Sequence, residues 1–143
     1  MKLFLDANVL LDGYYQRAGV GASDQVIALC DGVGHSGWVA WHTLSNVFYL
    51  VRGHSKSSPT ALQFVSDLLA WADVAETGKA DALHAVGTGM NDFEDALQLA
   101  AALVCGADVI VTRNTADFKA SPLPVMTPEQ LLAHLASSRS ATP

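Results

Sequence analysis

Short apolar runs alternate with amphipathic segments along the whole chain. The clearest runs are residues 2–5, 37–41 and 107–112, and shorter ones occur at 74–76 and 125–126. Continuous apolar runs of this length are typical of strands buried on both faces, and the segments between them have the apolar spacing of helices. The alternation predicts a three-layer α/β/α sandwich around a central, mainly parallel sheet with right-handed crossovers.

The size and composition of the chain fit a single domain. Half of the 143 residues are apolar, enough for a sizeable core. We assign residues 1–136 to this domain and residues 137–143 to a flexible polar tail. No apolar run approaches the roughly 20 residues that span a bilayer, and the first residues lack a basic, signal-like segment, so we expect a cytoplasmic protein without a membrane partner. The net charge of −6 argues against a broad basic surface for coating nucleic acid.

Residues 92–103, DFEDALQLAAAL, place three acids at the entry of an otherwise apolar helix. The acids are Asp92, Glu94 and Asp95, and only Gln98 interrupts the apolar run that follows. Acidic side chains favour the first turn of a helix, because they cap free N–H groups and oppose the positive end of the helix dipole. Capping therefore explains this cluster at least as well as a functional site does.

Two further acids follow predicted strands. Asp6 ends the first strand, and Asp117 lies shortly after the strand at 107–112. Open parallel sheets bind ligands at the carboxyl ends of their strands, so we expect both acids at the sheet edge where the 92–103 helix begins. At Asp6, capping of the next helix is an equally good explanation.

Three carboxylates at one edge require neutralisation. Two like charges about 4 Å apart repel by roughly 4 kcal/mol at an effective dielectric near 20, so such a site holds either a proton or a cation. The sequence places only oxygen ligands here, with no histidine or cysteine to join them. The expected cation is therefore Mg²⁺, or Mn²⁺ in the same position.

The helix after the second strand carries one polar residue of interest. Thr43 is its expected N-cap, and Asn46 lies one turn inside, facing either solvent or the cleft. The next helix, from 59 to about 72, has Phe64 and Trp71 beside its apolar stripe. The excess of apolar side chains on this helix fits either burial between helices or a protein interface.

Three stretches resemble the PIN domain, the metal-dependent nuclease fold that includes the VapC-type toxins of bacterial toxin–antitoxin pairs. They are DANVLLD at 6–12, DFEDALQLAAAL at 92–103 and ADVIVTRNTADF at 107–118. The likeness extends from Met1 to about Leu135 and implies a PIN-like, Rossmann-like fold. It implies catalytic, metal-binding acids at Asp6, Asp95 and Asp117. It implies that Thr112 and Asn114 support the loop and that Asn46 is a supporting residue. Asp92 and Glu94, which flank Asp95, either bind the metal directly or support its ligands, and Asp92 is the better candidate for a cap.

One position departs from the family pattern. PIN nucleases commonly carry a further acid on the helix after the second strand, where this chain has Asn46. The carbonyl oxygen of Asn46 can still bind a hard ion or a water held by one, but the site has one negative charge fewer and should retain metal less tightly. A subset of PIN-like proteins is similar at this position.

The resemblance implies hydrolysis of phosphodiester bonds in single-stranded RNA. Mg²⁺ or Mn²⁺ would lower the pKa of a bound water and offset charge on the leaving oxygen, and one acid would take the proton. Arg52, Arg113 and Lys119 are the nearest candidates for phosphate contacts, although ordinary surface charges explain them equally well. In a toxin, a cognate antitoxin should cover the cleft, and PIN domains often pair as homodimers.

Two other functions remain open from the sequence. A catalytically weak PIN-like module that binds RNA or a protein partner fits Asn46 and the acidic composition. A phosphatase or other metal hydrolase would use the same acids, but the Asp-x-Asp motif of phosphoaspartyl enzymes is missing because position 8 is Asn.

Overall fold

A computed structural model describes residues 1–140, which form a five-stranded sheet flanked by seven α-helices. The strands are β1 (Lys2–Leu5), β2 (Ser36–Val39), β3 (Ala72–Val74), β4 (Val109–Val111) and β5 (Val125–Met126). The helices are α1 (Ala7–Tyr15), α2 (Val20–Cys30), α3 (Trp41–Ser55), α4 (Ser58–Leu69), α5 (Lys79–Gly87), α6 (Phe93–Val104) and α7 (Pro128–Ser140). A 3₁₀ helix at Thr115–Phe118 follows β4.

The sheet has the strand order β3-β2-β1-β4-β5, and every neighbouring pair is parallel. The predicted sheet was mainly parallel, and the observed sheet is entirely so. Because all strands run in one direction, the residues that follow β1, β2 and β4 meet at a single edge. Asp6, Asn46 and Asn114, which follow β1, β2 and β4 in the chain, line one cavity at that edge.

Side chains that alternate along each strand divide the core into two halves. Leu3 and Leu5 of β1 pack on one face of the sheet with α1, α2, α3, α4 and α7. Phe4, between them, packs on the other face with Leu99 of α6, and α5 packs against α6 through Ala85. The three-layer α/β/α architecture predicted from the alternation is therefore confirmed.

Several boundaries differ from the prediction, among them strands β2 and β4, which are shorter than the runs 37–41 and 107–112. Helix α3 begins at Trp41, so Thr43 is not its N-cap but lies buried inside the helix. The reason is the tight β2–α3 connection, in which the buried Ala40 alone separates the two elements. The third strand is β3 rather than residues 74–76. Residues 137–140, assigned to a flexible tail, are the last residues of α7, and the remainder of that tail, 141–143, lies outside the described residues.

Phe64 and Trp71 pack partly buried against the larger half of the core. With Leu10, Ile27 and Leu68 they line an open cavity of about 200 Å³ between α1, α2 and α4. Burial between helices accounts for most of the apolar excess seen in the sequence. None of the helices within residues 1–140 is long and apolar enough to cross a membrane.

Candidate metal centre

Asp6 follows β1 directly and lies buried at the carboxyl edge of the sheet. It occupies the N-cap position of α1, yet its side chain accepts no capping hydrogen bond. Its carboxylate accepts hydrogen bonds from Gln98 Nε2 and Thr112 Oγ1, both at 2.7 Å, and from Asn8 Nδ2 at 3.3 Å. Capping therefore does not explain Asp6, whose side chain is held by residues from three separate segments.

The acids at the start of α6 differ in role. Asp92 is the N-cap, and its Oδ1 accepts a hydrogen bond of 3.1 Å from the backbone N–H of Asp95. The prediction that Asp92 caps the helix is confirmed. Asp92 is exposed, whereas Glu94 and Asp95 are half-buried. One carboxylate oxygen from each of the three acids lies within 4.8 Å of the other two, close enough for one cation to bind all three.

Asp95 is the acid most affected by its neighbours. Burial, and after it the charges of Asp92, Glu94, Asp117 and Asp6, raise the pKa of its carboxyl from 3.8 to about 7. Among residues 1–140 no hydrogen bond is donated to the side chain of Asp95 or Asp117. Asp95 therefore lies between the other acids without a donor to balance its charge, which is the situation that a bound cation relieves.

Two open cavities meet at Asp95. The larger, about 410 Å³, is lined by Asp95 together with Asp6, Asn46, Glu94 and Asn114. The second, about 300 Å³, is lined by Asp95 with Asp92, Asp117 and Lys119. Asp6 and Asp117 thus line two different cavities that share Asp95 and that together are called the cleft below, and the three predicted metal-binding acids do not form one tight cluster.

Glu94 is bound by residues that the sequence analysis did not connect to the site. His42 Nε2 lies 3.0 Å from Glu94 Oε1, and Asn46 Nδ2 donates to the same oxygen at 3.3 Å. Gln98 Nε2 donates to both carboxylate oxygens of Glu94, at 3.0 and 3.3 Å. His42 thus contacts an acid of the site, although no histidine belongs to the group of possible metal ligands found among residues 1–140.

Gln98 and His42 are the two residues that the sequence analysis did not connect to the site, and only one of them has a local sequence signal. Gln98 is the one polar residue in the apolar run of α6 and follows Glu94 by four positions, the spacing at which helix side chains meet. That spacing could have identified it. His42 is 52 residues from Glu94 in the chain, and no local pattern indicates the contact.

The donor set fits a hard divalent cation. The carboxylates of Asp6, Glu94, Asp95 and Asp117 and the amide groups of Asn46 and Asn114 line the cleft or its side cavity, and oxygen ligands of this kind favour Mg²⁺ or Mn²⁺. The buried Thr112 links two residues of the cleft: its Oγ1 donates a hydrogen bond to Asp6 and accepts one of 3.1 Å from the backbone N–H of Asn114.

The three predicted phosphate-binding cations lie in different surroundings. Lys119 lines the cavity of Asp117, and Arg52 lines a cavity of about 300 Å³ that shares Tyr49 with the larger cleft. Arg113 is occupied elsewhere: its Nε donates to Asp12 at 2.8 Å and its guanidinium also contacts Glu129 at 2.6 Å. Because both carboxylates bind it, Arg113 is not presented to the cleft.

Comparison with known proteins places these features in a family. A family model for the PIN domain matches residues 2–116, and no curated protein sequence matches the chain. VapBC-1 from nontypeable Haemophilus influenzae has a similar structure, with a TM-score of 0.68 and 16% identity over 90% of this chain and 99% of that one. A toxin–antitoxin complex from Klebsiella pneumoniae has a TM-score of 0.67 and 21% identity over 88% and 97% of the two chains. DNA-bound VapBC from Salmonella typhimurium has a TM-score of 0.64 and 18% identity over 90% and 98%.

Proposed function

The chain belongs to the PIN domain family, and we propose that it is a Mg²⁺- or Mn²⁺-dependent endoribonuclease that hydrolyses phosphodiester bonds in single-stranded RNA. The observation that carries the proposal is that four acids, Asp6, Asp92, Glu94 and Asp117, surround the half-buried Asp95. Burial, and after it the charges of these acids, raise the pKa of Asp95 to about 7. A structural role does not require so many acids around one carboxyl, because their mutual repulsion lowers stability.

The residues of the chain have distinct roles in this reaction. Asp6, Asp95 and Asp117 would hold the metal, with Asn46 and Asn114 as neutral oxygen donors at the rim of the cleft. When bound, the metal activates the attacking water and offsets the negative charge that develops on the leaving oxygen. An acid of the cleft that is not neutralised by the metal accepts the proton of the attacking water.

The substrate would lie along the cleft between cations at its two ends. Arg52 lies beyond Tyr49 at one end, and Lys119 lies beside Asp117 at the other. A strand bound to both cations places a phosphate between them, over the acids. This arrangement suits an extended single strand, because a duplex would carry a second row of phosphates without partners. We also propose a cytoplasmic location, which the proposed RNA substrate supports.

The similarity to VapBC complexes supports a role as the toxin of a toxin–antitoxin pair. An antitoxin segment with apolar side chains would fit the cavity of Phe64 and Trp71, and its remainder would cover the acidic cleft. A homodimer would bury Leu83 and Val86 of α5, which are 62% and 68% exposed on one helix face. Light scattering of the purified chain, alone and with the product of a neighbouring small reading frame, tests both partners.

The experiment that tests the activity is cleavage of a mixed single-stranded RNA pool by the purified chain with Mg²⁺, Mn²⁺ or EDTA. We expect metal-dependent cleavage that Asp6→Asn and Asp117→Asn each lower by at least about 100-fold, since even the outer partners of metal ligands contribute 10- to 100-fold. Asp117→Asn breaks no side-chain hydrogen bond of residues 1–140, so a folded variant should result, and its melting temperature checks this.

Asp31→Asn is the matched control, because Asp31 is exposed at the end of α2, where the chain enters β2 at the opposite edge of the sheet. This variant should cleave like the wild type. Absence of cleavage by folded, metal-bound wild type would reject the nuclease, and retained RNA affinity in that protein would favour the binding module.

A further inference from the structure

Glu94 of α6 lies beside Asn46, the position on α3 where the family pattern has an acid. Asn46, at the position of that acid, donates its amide N–H to Glu94 Oε1. The two side chains belong to α3 and α6 and are 48 residues apart in the chain. A second carboxylate at position 46 would lie against Glu94, and repulsion at about 4 Å costs roughly 4 kcal/mol at an effective dielectric near 20. The neutral Asn46 therefore makes room for an acid supplied by the other helix.

His42 holds Glu94 from the start of α3. The Nε2 atom of His42 lies 3.0 Å from Glu94 Oε1, and both side chains are partly shielded, at 27% and 38% exposure. His42 and Asn46 both contact Oε1 of Glu94, and they lie four residues apart, on the same face of α3. The other oxygen, Oε2, is approached only by Gln98 among the described residues, at 3.3 Å.

Gln98 joins Glu94 to Asp6. It is fully buried, and its Nε2 contacts Asp6 Oδ1 as well as both oxygens of Glu94. Its Oε1 atom has no hydrogen-bond partner among the described residues, a costly arrangement for a buried amide. The orientation is explained if the amide nitrogen is needed between the two carboxylates, where it keeps them together before a cation binds.

We propose that Glu94 is the fourth acid of the metal centre, supplied by α6 in place of the acid that α3 lacks, and that His42 and Gln98 are its positioning residues. The inference rests on the proposed metal-dependent function. It assigns the site four carboxylates, Asp6, Glu94, Asp95 and Asp117, so Asn46 does not make this centre deficient in charge.

The test is calorimetric titration of the metal-free full chain with Mn²⁺, which measures affinity whether or not RNA is cleaved. We expect Glu94→Gln to weaken Mn²⁺ binding at least about 10-fold and His42→Ala to weaken it about 10-fold, as for partners of metal ligands in general. His42→Gln restores an N–H donor and should recover most of that loss. Glu76→Gln, which removes an exposed charge in the loop after β3, should bind like the wild type.

A double-mutant cycle separates positioning from general structural damage. If His42 acts through Glu94, His42→Ala should change Mn²⁺ affinity by less than about twofold in the Glu94→Gln background, because the two losses are then one and the same. Independent, additive losses would overturn the role of His42. Melting of each metal-free variant identifies any that do not fold.

An exchange of acids tests whether Glu94 replaces the acid of α3. The variant Asn46→Glu/Glu94→Gln should bind Mn²⁺ about 10-fold more tightly than Glu94→Gln alone. Unchanged affinity in Glu94→Gln, or no recovery in the exchanged variant, would overturn the inference while leaving a nuclease centred on the other three acids. Wild type that binds Mn²⁺ but does not cleave RNA would instead reject the proposed function and leave the four-acid site in place.

Discussion

Asp6 and Asp95 lie at the same edge of the sheet, but the groups that surround their carboxyls are opposite in kind: hydrogen-bond donors at Asp6 and other acids at Asp95. Asp6 is buried and accepts hydrogen bonds from Gln98, Thr112 and Asn8. At Asp95, burial of the carboxyl, and after it the charges of four surrounding acids, raise the pKa to about 7. The first arrangement fixes the geometry of a carboxylate, and the second holds a proton that a metal ion can replace.

The raised pKa of Asp95 predicts how the stability of the metal-free chain depends on pH. The unfolded chain releases this proton near pH 4, and the folded chain retains it up to about pH 7. Between these values the native state binds more protons, so the free energy of unfolding falls as pH rises. Asp95→Asn removes this contribution and should be the more stable protein at pH 8 by on the order of 1 kcal/mol, since solvent screens a half-exposed group.

Urea unfolding of both proteins in EDTA, at pH 5 and pH 8, measures the difference. The advantage of Asp95→Asn should be smaller at pH 5 than at pH 8, and saturating Mg²⁺ should reverse it in favour of the wild type. Equal responses of the two proteins to pH would show that Asp95 ionises normally.

At the level of elements, Arg113 ties the end of β4 to two helices. Its guanidinium binds Asp12 of α1 and Glu129 of α7, and it also donates to Ser23 Oγ of α2 at 2.9 Å. Asp12 is 1% exposed, and Arg113 is the nearer of its two cationic partners, at 2.8 Å against 3.9 Å for Arg17. Because Arg113 lies between Thr112 and Asn114, the ion pairs also hold the loop that lines the cleft.

Arg113→Ala should lower the free energy of unfolding by about 3 kcal/mol, because it leaves a buried carboxylate without its main partner. Arg52→Ala, a change of the same type at an exposed position, should lower it by less than about 0.5 kcal/mol. Chemical denaturation of both variants checks this. A stable Arg113→Ala protein with weakened RNA binding would instead support the phosphate contact predicted from sequence.

Gly37 and Gly53 differ in the space that surrounds them. A Cβ at Gly37 of β2 would lie 2.6 Å from the ring of Trp71 and 3.1 Å from Cys30, whereas a Cβ at Gly53 of α3 would meet nothing within 4 Å. Gly37→Ala should therefore destabilise the fold by about 1–3 kcal/mol through overpacking. Gly53→Ala should stabilise it by about 0.5–1 kcal/mol, because alanine favours a helix interior. Thermal melting that ranks the two variants in the opposite order would contradict this packing.

Across the whole molecule, the net charge of −6 limits how RNA can bind. With Arg113 occupied by carboxylates, Arg52 and Lys119 are the predicted cations that still line the cleft and its neighbouring cavities. Binding should therefore depend less on salt than for basic RNA-binding proteins. Two neutralised phosphates give a slope of log affinity against log salt near −1.4, at about −0.7 for each phosphate of a single strand.

Fluorescence anisotropy with the Asp117→Asn protein, which we expect not to cleave RNA, measures this slope. Arg52→Ala in that background should reduce its magnitude by about 0.7, and Arg139→Ala, an exposed change at the end of α7, should leave it unchanged. A slope of −4 or steeper would reveal a basic surface elsewhere on the molecule.

The sequence alone determined the architecture and the position of most of the acids. Alternating apolar runs predict buried parallel strands, because only residues covered on both faces can be continuously apolar. Asp6 and Asp117 follow such strands, and Asp92 has the residue type and position of an N-cap. These features depend on neighbours in the chain, and the sequence motifs of the PIN family record the same local order.

Only the tertiary structure decided which side chains meet. The contact of His42 with Glu94, the bridge of Gln98 to Asp6 and the binding of Arg113 by Asp12 join residues 52, 92 and 101 positions apart. Such contacts depend on how the sheet aligns three strand ends and on which helix face turns inward. No local pattern carries that information, so the sequence offered Arg113 as a candidate for phosphate contacts and did not connect His42 with Glu94.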